Sequence, residues 1–330
     1  MSAQLGIDIG TANIKLVSLS GNKIDGVQVI SNPLGRVKLE TESEVVRMVE
    51  EMKKSLFSEM KLAGQSTAVV VPESVVYSRV ISMPVLTDAE LSNAIKWEAE
   101  QYVPQPLEEV ELSWQIVDKP QKSEGKMKVY LVAIDKKVVG GLINMFSRLG
   151  LEPTSIKPEF VAASSLIRDK GDVMLSTMGA STVTSGVFRD GNLLFIYQFG
   201  SGGTAMTRAI SSGLQLNNSQ AEEYKRSYGV RKDVLEGRLY EAMKPVTEGV
   251  VSELKKVVNY YNQNFAGKGQ LSSVSICGGM ALTPGIIQLL GSELNVETEL
   301  LSSFGGVEFD VQIDDRLRVV YAPAIGAVKG

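Results

Sequence analysis

Two stretches in different halves of this chain carry the same pattern, and that repeat constrains the fold more than any other feature. Each stretch, 5–19 and 174–188, is predicted to form a strand, a short tip that begins with glycine, and a second strand. The aligned pairs are Gly10 with Gly179, Asn13 with Thr182, Ile14 with Val183 and Leu19 with Phe188. Such internal similarity predicts two related halves whose hairpin tips face each other.

The first tip has the residue types of an anion-binding turn. Glycine turns without a Cβ clash, and the small residues after it leave backbone N–H groups that can point at an anion: Gly10, Thr11, Ala12 and Asn13. Asp8 before the tip could hold a metal ion through water, and Lys15 after it could neutralise phosphate charge. A strand follows the tip, which disfavours the P-loop and Rossmann sites, where a helix follows. An ordinary turn is the alternative explanation of this tip taken alone.

The composition excludes several function classes. The chain has no histidine, so Ser-His-Asp and Cys-His catalysis and histidine-ligated metals are excluded. A net charge of −4 and a pI near 5.3 argue against a general nucleic-acid binder. Cys277 is the single cysteine and lies in an apolar stretch, which predicts a core residue in a reducing compartment. No apolar run reaches the roughly 18 residues of a membrane span, so we expect no direct membrane insertion.

The spacing of apolar residues predicts strands and helices along the rest of the chain. The predicted strands are 24–30, 67–71, 76–83, 110–117, 127–134, 274–277 and 296–300, and the predicted helices are 42–62, 87–102, 136–149, 159–168, 204–212, 219–228, 245–264, 284–293 and 322–329. The segment 76–155 is predicted to be an inserted α+β module with its own core. Trp97 and Tyr102 on its first helix fit either core or partner contacts, and we expect one of them in the core.

These motifs together resemble the actin-like ATPase superfamily, which includes Hsp70 and sugar kinases. The resemblance rests on the two hairpins, a connecting helix, Ala-Glu-x-x-Lys at 221–225 and a late Gly-Gly loop at 278–279. The inserted module resembles that of FtsA, and the stretch 83–110 is similar to the PilM family of type IV pilus assembly. The resemblance covers nearly the whole chain. It implies an α/β actin-like ATPase fold with two sheet-and-helix halves around a nucleotide cleft and an FtsA-type insertion.

The resemblance also implies a division into four subdomains. Subdomain 1A comprises 1–75, 156–171 and 307–330; subdomain 1C is 76–155; subdomain 2A comprises 172–213 and 271–306; and subdomain 2B is 214–270.

By the same resemblance, ATP or ADP binds with Mg²⁺ in the cleft. The implied first phosphate loop is Asp8, Gly10, Thr11, Ala12, Asn13 and Lys15, with Asp8 organising the metal through water; the second is Gly179, Ala180, Ser181 and Thr182. Glu222 and Lys225 would reach the ribose and base, and Gly278, Gly279 and Met280 would pack against adenosine. Gly202 and Gly203 precede a helix and could offer free N–H groups, or form a plain loop. Without the resemblance, Glu222 and Lys225 would fit a surface ion pair.

Two positions depart from the family pattern. Thr177 stands where the second phosphate loop usually begins with Asp, and Lys157 stands where an acid often precedes the connecting helix. Glu159 remains as a candidate to orient water, or as an ordinary acid in a first helical turn. Since hydrolysis needs an aligned water and neutralised charge, we expect nucleotide binding with weak or absent hydrolysis.

The function implied by the resemblance is that of a cytoplasmic adaptor recruited to the inner face of the membrane. Its implied partner is the N-terminal cytoplasmic tail of a PilN-type inner-membrane protein, gripped beside the inserted module, in a pilus or type II secretion-like platform. Other platform proteins and self-association stay open. The alternatives are an FtsA-like filament-forming protein and a small-molecule kinase. A kinase needs a catalytic Asp facing a substrate cleft, and 76–155 supplies no obvious one.

Overall fold

The computed structural model describes residues 4–37, 39–55, 66–119, 125–168, 171–265 and 270–330. Its strands are β1 (Gln4–Ile9), β2 (Asn13–Ser20), β3 (Lys23–Ser31), β4 (Ser66–Val71), β5 (Val76–Pro84), β6 (Val110–Asp118), β7 (Lys126–Asp135), β8 (Glu152–Pro158), β9 (Asp172–Met178), β10 (Val183–Arg189), β11 (Asn192–Phe199), β12 (Ser273–Cys277), β13 (Thr298–Leu300) and β14 (Glu308–Phe309). Its helices are α1 (Glu42–Ser55), α2 (Asp88–Glu100), α3 (Lys136–Arg148), α4 (Glu159–Ser164), α5 (Gly203–Leu214), α6 (Asn218–Tyr228), α7 (Arg238–Asn264), α8 (Ile286–Leu294) and α9 (Ala322–Lys329).

Two large sheets repeat one topology, as the sequence predicts. The six-stranded sheet has the order β14-β3-β2-β1-β4-β8, and the five-stranded sheet has the order β11-β10-β9-β12-β13. The hairpin registers are equivalent, since Ile9 pairs with Ile14 and Met178 pairs with Val183. Each sheet also has a bulge at the aligned step, at Ser18/Leu19 in one and at Val187/Phe188 in the other. The internal repeat and the α/β class are therefore confirmed.

The two halves meet on a shared core around α4 and α9. These helices cross so closely that a Cβ at Gly326 would overlap the carbonyl oxygen of Ala162. Fully buried Phe160 of α4 stacks on Phe188 of β10, with ring centroids 6.0 Å apart. The packing around these two helices therefore holds the two halves together.

The inserted segment forms a small antiparallel sheet, β5-β7-β6, covered by α2. Thr87 and Glu90 make the expected capping box at the start of α2. The buried side chains of α3 lie instead in the core of the six-stranded sheet, where Met145 and Phe146 join Met48 of α1. The subdomain boundaries stay a prediction, but this packing leaves α2 and three strands as the separate core of the insertion.

The two aromatic side chains on α2 face solvent. Trp97 is 72% exposed and Tyr102 is 39% exposed, so the expectation that one of them lies in the core is wrong. The buried face of α2 already presents Leu91, Ile95 and Ala99 to the sheet. Trp97 falls outside that stripe because it follows Ile95 by only two positions, and a helix places such residues on different faces.

The inserted sheet also contacts the second half. Tyr130 of β7 lies in one core with Phe188 and Leu193, and Lys128 Nζ lies 4.6 Å from the ring centroid of Phe265. The insertion therefore packs against both halves of the molecule.

Several element boundaries differ from the predictions. The predicted helix 42–62 is described only to Ser55, and 56–65 lie outside the described residues. The predicted helix 159–168 ends at Ser164, and α7 begins at Arg238, well before the predicted 245, with Pro245 inside it. Among the helices that the structure describes, none is both long and apolar enough to cross a membrane.

Candidate functional site

The first tip carries a buried ion pair. Asp8 and Lys15 are opposite each other in the β1–β2 hairpin, and Lys15 Nζ donates to Asp8 Oδ2 at 2.6 Å. Burial alone would lower the pKa of Lys15, but the carboxylates of Asp8 and Glu159 raise it. Asp8 is 1% exposed, and its Oδ1 is buried without a hydrogen-bond partner in the described chain. One carboxylate oxygen is therefore left for an additional ligand.

The aligned positions of the second hairpin are neutral. Thr177 and Thr184 pair across β9 and β10 where Asp8 and Lys15 pair in the first half. Thr184 Oγ1 is buried, and within the described ranges it has no partner. The charge at the centre of the site therefore comes from one half alone.

The two tips touch each other. Thr11 Oγ1 and Ser181 Oγ lie 3.1 Å apart, within hydrogen-bond distance. Four tip N–H groups donate to no group in the part of the chain that the structure describes: those of Thr11, Ala12, Ala180 and Ser181. Asn32, which sequence reasoning missed, supports the first tip because its amide Nδ2 donates to the Gly10 carbonyl and its backbone N to the Ala12 carbonyl, each at 2.8 Å. The two tips thus lie in contact and carry four N–H groups that have no acceptor in the described chain.

Glu159 lies between the two tips. It is the first residue of α4, it is 6% exposed, and a Cβ at Gly179 would lie 3.6 Å from its Oε2. Burial raises the pKa of Glu159, and the Asp8 carboxylate raises it further.

Lys157 points elsewhere, since its Nζ donates to the Ala327 carbonyl at 3.1 Å. Burial raises the pKa of the Cys277 thiol, and this side chain lies in the core as predicted.

A second cluster surrounds Lys225 of α6. Lys225 Nζ donates to the Gly203 carbonyl, Thr207 Oγ1 and Glu222 Oε2 at 3.0, 2.9 and 2.7 Å. Burial lowers the pKa of Lys225 although Glu222 opposes this. Burial would raise the pKa of Glu222, but hydrogen bonds from Lys225 and Thr207 hold it below its ordinary value. Lys225 and Glu222 thus form a hydrogen-bonded network in which Lys225 is buried and Glu222 is partly exposed. Thr207 was missed because a single Thr in a helix carries no motif.

The glycines bring backbone segments close together around these clusters. A Cβ at Gly202 would lie 2.5 Å from the Ala180 carbonyl oxygen, and a Cβ at Gly203 would lie 3.7 Å from Cβ of Met280. Gly278 has φ +96°, and a Cβ there would lie 2.6 Å from the Met178 carbonyl oxygen. These contacts place the Gly202–Gly203 and Gly278–Met280 segments beside the second tip.

The expectation of free N–H groups at the start of α5 is wrong for its first two residues. The N–H groups of Gly203 and Thr204 donate to the carbonyls of Gly179 and Ala180 at 3.0 and 2.9 Å. Close approach of the two backbones therefore explains the glycines there.

The residues present fit a phosphate anion with a hydrated divalent cation. Mg²⁺ in proteins commonly keeps several waters and uses one or two carboxylates together with phosphate oxygens. No group of three or more Asp, Glu or Cys side chains at metal-binding spacing occurs among the described residues, and the Asp8 carboxylate has one oxygen without a partner there. Its free Oδ1, the cation of Lys15 and the four tip amides are the complementary groups.

Comparison with known proteins gives a family and a fold. The family profile for Type IV pilus assembly protein PilM matches residues 6–326. The solved PilM-PilN type IV pilus biogenesis complex is similar, with a TM-score of 0.84 and 24% identity over 98% of this chain and 97% of that one. MreB 5 of Spiroplasma citri bound to AMPPNP has a TM-score of 0.51 and 13% identity over 98% and 95% of the two chains. Cell division protein FtsA of Bacillus subtilis (strain 168) is 24% identical over 180 residues, which are 48% of this chain and 41% of that protein. The chain thus spans less than half the length of the curated relatives it matches.

Proposed function

This chain belongs to the family of Type IV pilus assembly protein PilM, and from that premise we propose that it is a nucleotide-binding adaptor of the pilus assembly platform. The observation that carries the nucleotide part is the pair of facing tips, joined at Thr11 and Ser181, whose four amides have no protein acceptor in the described chain. MreB 5, which shares the actin-like fold, binds AMPPNP, and this supports ATP or ADP as the ligand.

The side chains around the tips have distinct roles in this proposal. A bound ATP or ADP with Mg²⁺ would supply a polyphosphate whose charge the metal partly neutralises. The tip amides would donate to phosphate, Lys15 would neutralise its charge, and Asp8 would hold the metal ion through water. Glu222 accepts from the ribose, and Lys225 holds it in place. Gly278, Gly279 and Met280 would line the adenosine side, and the position of Gly278 and Met280 beside the second tip supports this.

We expect hydrolysis to be weak because Thr177 and Lys157 stand at two positions where the family pattern has acids. Glu159 remains as the acid between the tips, and burial and the Asp8 carboxylate raise its pKa. Thr177 supplies a neutral hydroxyl where the family pattern has a carboxylate.

The proposed partner is the N-terminal tail of a PilN-type inner-membrane protein, which would hold the adaptor at the inner face of the membrane. Support comes from the solved PilM-PilN complex, which shares the fold. The inserted segment is the proposed recognition surface, and Trp97 is its most exposed large apolar side chain. Exposed aromatic side chains often dominate binding energy when a partner covers them.

Calorimetry on nucleotide-free protein tests the first part. We expect MgATP and MgADP to bind, and Lys15→Ala to weaken binding by about 10- to 100-fold, since a charged hydrogen bond contributes about 1.5–3 kcal/mol. Lys54→Ala, at an exposed lysine near the end of α1, is the matched control. Equal affinity of Lys15→Ala and wild type would refute the placement of the first phosphate loop.

Titration with a synthetic PilN-type tail peptide tests the second part. We expect Trp97→Ala to weaken peptide binding about tenfold or more and Tyr228→Ala, at an exposed aromatic of the second half, to leave it unchanged. Weaker peptide binding by Tyr228→Ala together with unchanged binding by Trp97→Ala would place recognition outside the insertion. Sedimentation of the protein in the presence of ATP tests the filament alternative. An assay of phosphate transfer from ATP to small acceptor molecules tests the kinase alternative.

A further inference from the structure

Glu73 is a buried acid that the roles above do not use. It follows β4 in the short turn Glu73–Val75, directly before the inserted segment, and it is 1% exposed. Its Oε1 accepts a hydrogen bond from the backbone N–H of Phe160 at 2.9 Å, across the whole insertion. The carboxyl group therefore joins the entry of the inserted segment to the start of α4.

This contact supplies a cap that α4 does not have locally. The residue before α4 is Pro158, whose side chain makes no capping hydrogen bond. The first N–H groups of a helix lack partners within the helix, so a carboxylate that accepts from one of them stabilises the first turn. Glu159 is in that first turn, immediately before Phe160. The position of the Glu159 carboxyl thus depends on how this turn is held.

Two side chains from other elements hold Glu73 in place. Ser78 Oγ of β5 lies 3.4 Å from its Oε2, and Gln198 Nε2 of β11 donates to its backbone carbonyl at 3.2 Å. Tyr130 of β7 is the other buried ionisable neighbour, and the charge of Glu73 adds to the burial that raises the tyrosine pKa. The cap is therefore fixed by the insertion on one side and by the second half on the other.

We propose that Glu73 is a positioning residue of the nucleotide cleft, whose carboxyl group caps the first turn of α4 and so fixes where the Glu159 carboxyl lies between the two tips. This rests on the proposed function, in which the tips hold phosphate. ATP carries one more phosphate than ADP, so a displaced acid between the tips changes affinity for ATP more than affinity for ADP.

The test compares Glu73→Ala with Glu73→Gln. Glutamine keeps an oxygen that can accept from Phe160 N–H, whereas alanine has none. In nucleotide-free protein, we expect amide hydrogen exchange in a peptide covering 158–165 to be about fivefold faster in Glu73→Ala, the factor that follows from loss of a helix cap, and unchanged in Glu73→Gln. Ser78→Ala removes the neighbour of Oε2 but leaves the Phe160 N–H its acceptor, so we expect a smaller change in exchange than in Glu73→Ala.

The ratio of the dissociation constants for ADP and ATP is the second measurement, because general destabilisation changes both constants together. At pH 8 we expect Glu73→Ala to change this ratio at least threefold and Glu73→Gln to keep the ratio of the wild type. In a Glu159→Gln background, we expect Glu73→Ala to have no effect on the ratio. An unchanged ratio in Glu73→Ala, or a change that persists without Glu159, would overturn the proposal. If wild type binds neither nucleotide, the proposed function fails by itself; hydrogen exchange then decides the cap, and equal exchange in Glu73→Ala and wild type overturns it.

Discussion

Replacing Glu73 with glutamine should make the protein more stable at alkaline pH and leave its stability at acidic pH nearly unchanged. Burial raises the pKa of Glu73 from 4.5 to about 7, although the N–H of Phe160 opposes the shift. The unfolded chain therefore loses this proton at lower pH than the folded protein does. Between pH 4.5 and 7 the folded state binds more protons, so its stability falls as pH rises.

The size of the effect follows from the shift. One pKa unit corresponds to about 1.4 kcal/mol, so the full difference between acid and alkaline limits is about 3 kcal/mol, and about 2–3 kcal/mol of it falls between pH 5 and 8. Glutamine does not ionise, so the free energy of unfolding of Glu73→Gln should not fall in this way as pH rises. Glu159 of α4 and Tyr130 of β7 are the ionisable groups that face Glu73, and both are present in both proteins, so their own contributions largely cancel.

Urea titrations of both proteins at pH 5, 6, 7 and 8 measure the free energy of unfolding. Both tryptophans, Trp97 and Trp114, lie in the inserted segment, so fluorescence reports unfolding beside Glu73 while circular dichroism reports the whole chain. Glu100→Gln, at an exposed position on α2, is the control and should show no pH-dependent difference. A difference between Glu73→Gln and wild type that stays constant from pH 5 to 8 would refute the reasoning.

Four further outcomes are expected. Gly326→Ala places a methyl group against the Ala162 carbonyl oxygen and should lower the free energy of unfolding by about 1–3 kcal/mol in urea titrations, whereas Gly249→Ala, in open space on α7, should not lower it. Phosphate release by wild type should stay far below the roughly 1–100 s⁻¹ of kinases, and turnover in that range would contradict the expectation of weak hydrolysis. Thr177→Asp should raise Mg²⁺-dependent phosphate release about tenfold over wild type in the same assay, and Thr177→Ser should not. Removal of Mg²⁺ with chelator should weaken ATP binding in calorimetry, and equal affinity would exclude the metal role of Asp8.

The sequence was sufficient for the two hairpins because their signal is local. Gly10 and Gly179 each end a strand of alternating or apolar residues, and the tip residues that follow are adjacent in the chain. Asp8 and Lys15 are close in sequence as well, so hairpin pairing alone brings them together. The repeat added a second, independent copy of the same local signal.

Glu73, Asn32 and Thr207 could not be predicted in the same way. Glu73 contacts Phe160 only because the insertion folds back and brings its two ends together, and no spacing rule in the chain encodes that contact. The Gly203 N–H was expected to be free because a helix start leaves its donors unpaired, but the second tip supplies an acceptor from another part of the fold. Partners that come from distant elements are decided by tertiary packing.

The matching registers of the two hairpins are what two copies related by an approximate twofold axis within one polypeptide would have. In a true homodimer built from the first half, the Asp8–Lys15 pair would occur twice, and four charges would face each other across that axis. Joining two copies in one chain removes this requirement, and here the partners across the axis are Thr177 and Thr184. The first hairpin therefore has an ion pair beside its tip, and the second has two neutral hydroxyl groups at the equivalent positions. A molecule entering between them meets surfaces that differ, so its two ends are no longer interchangeable and it can be bound in one orientation.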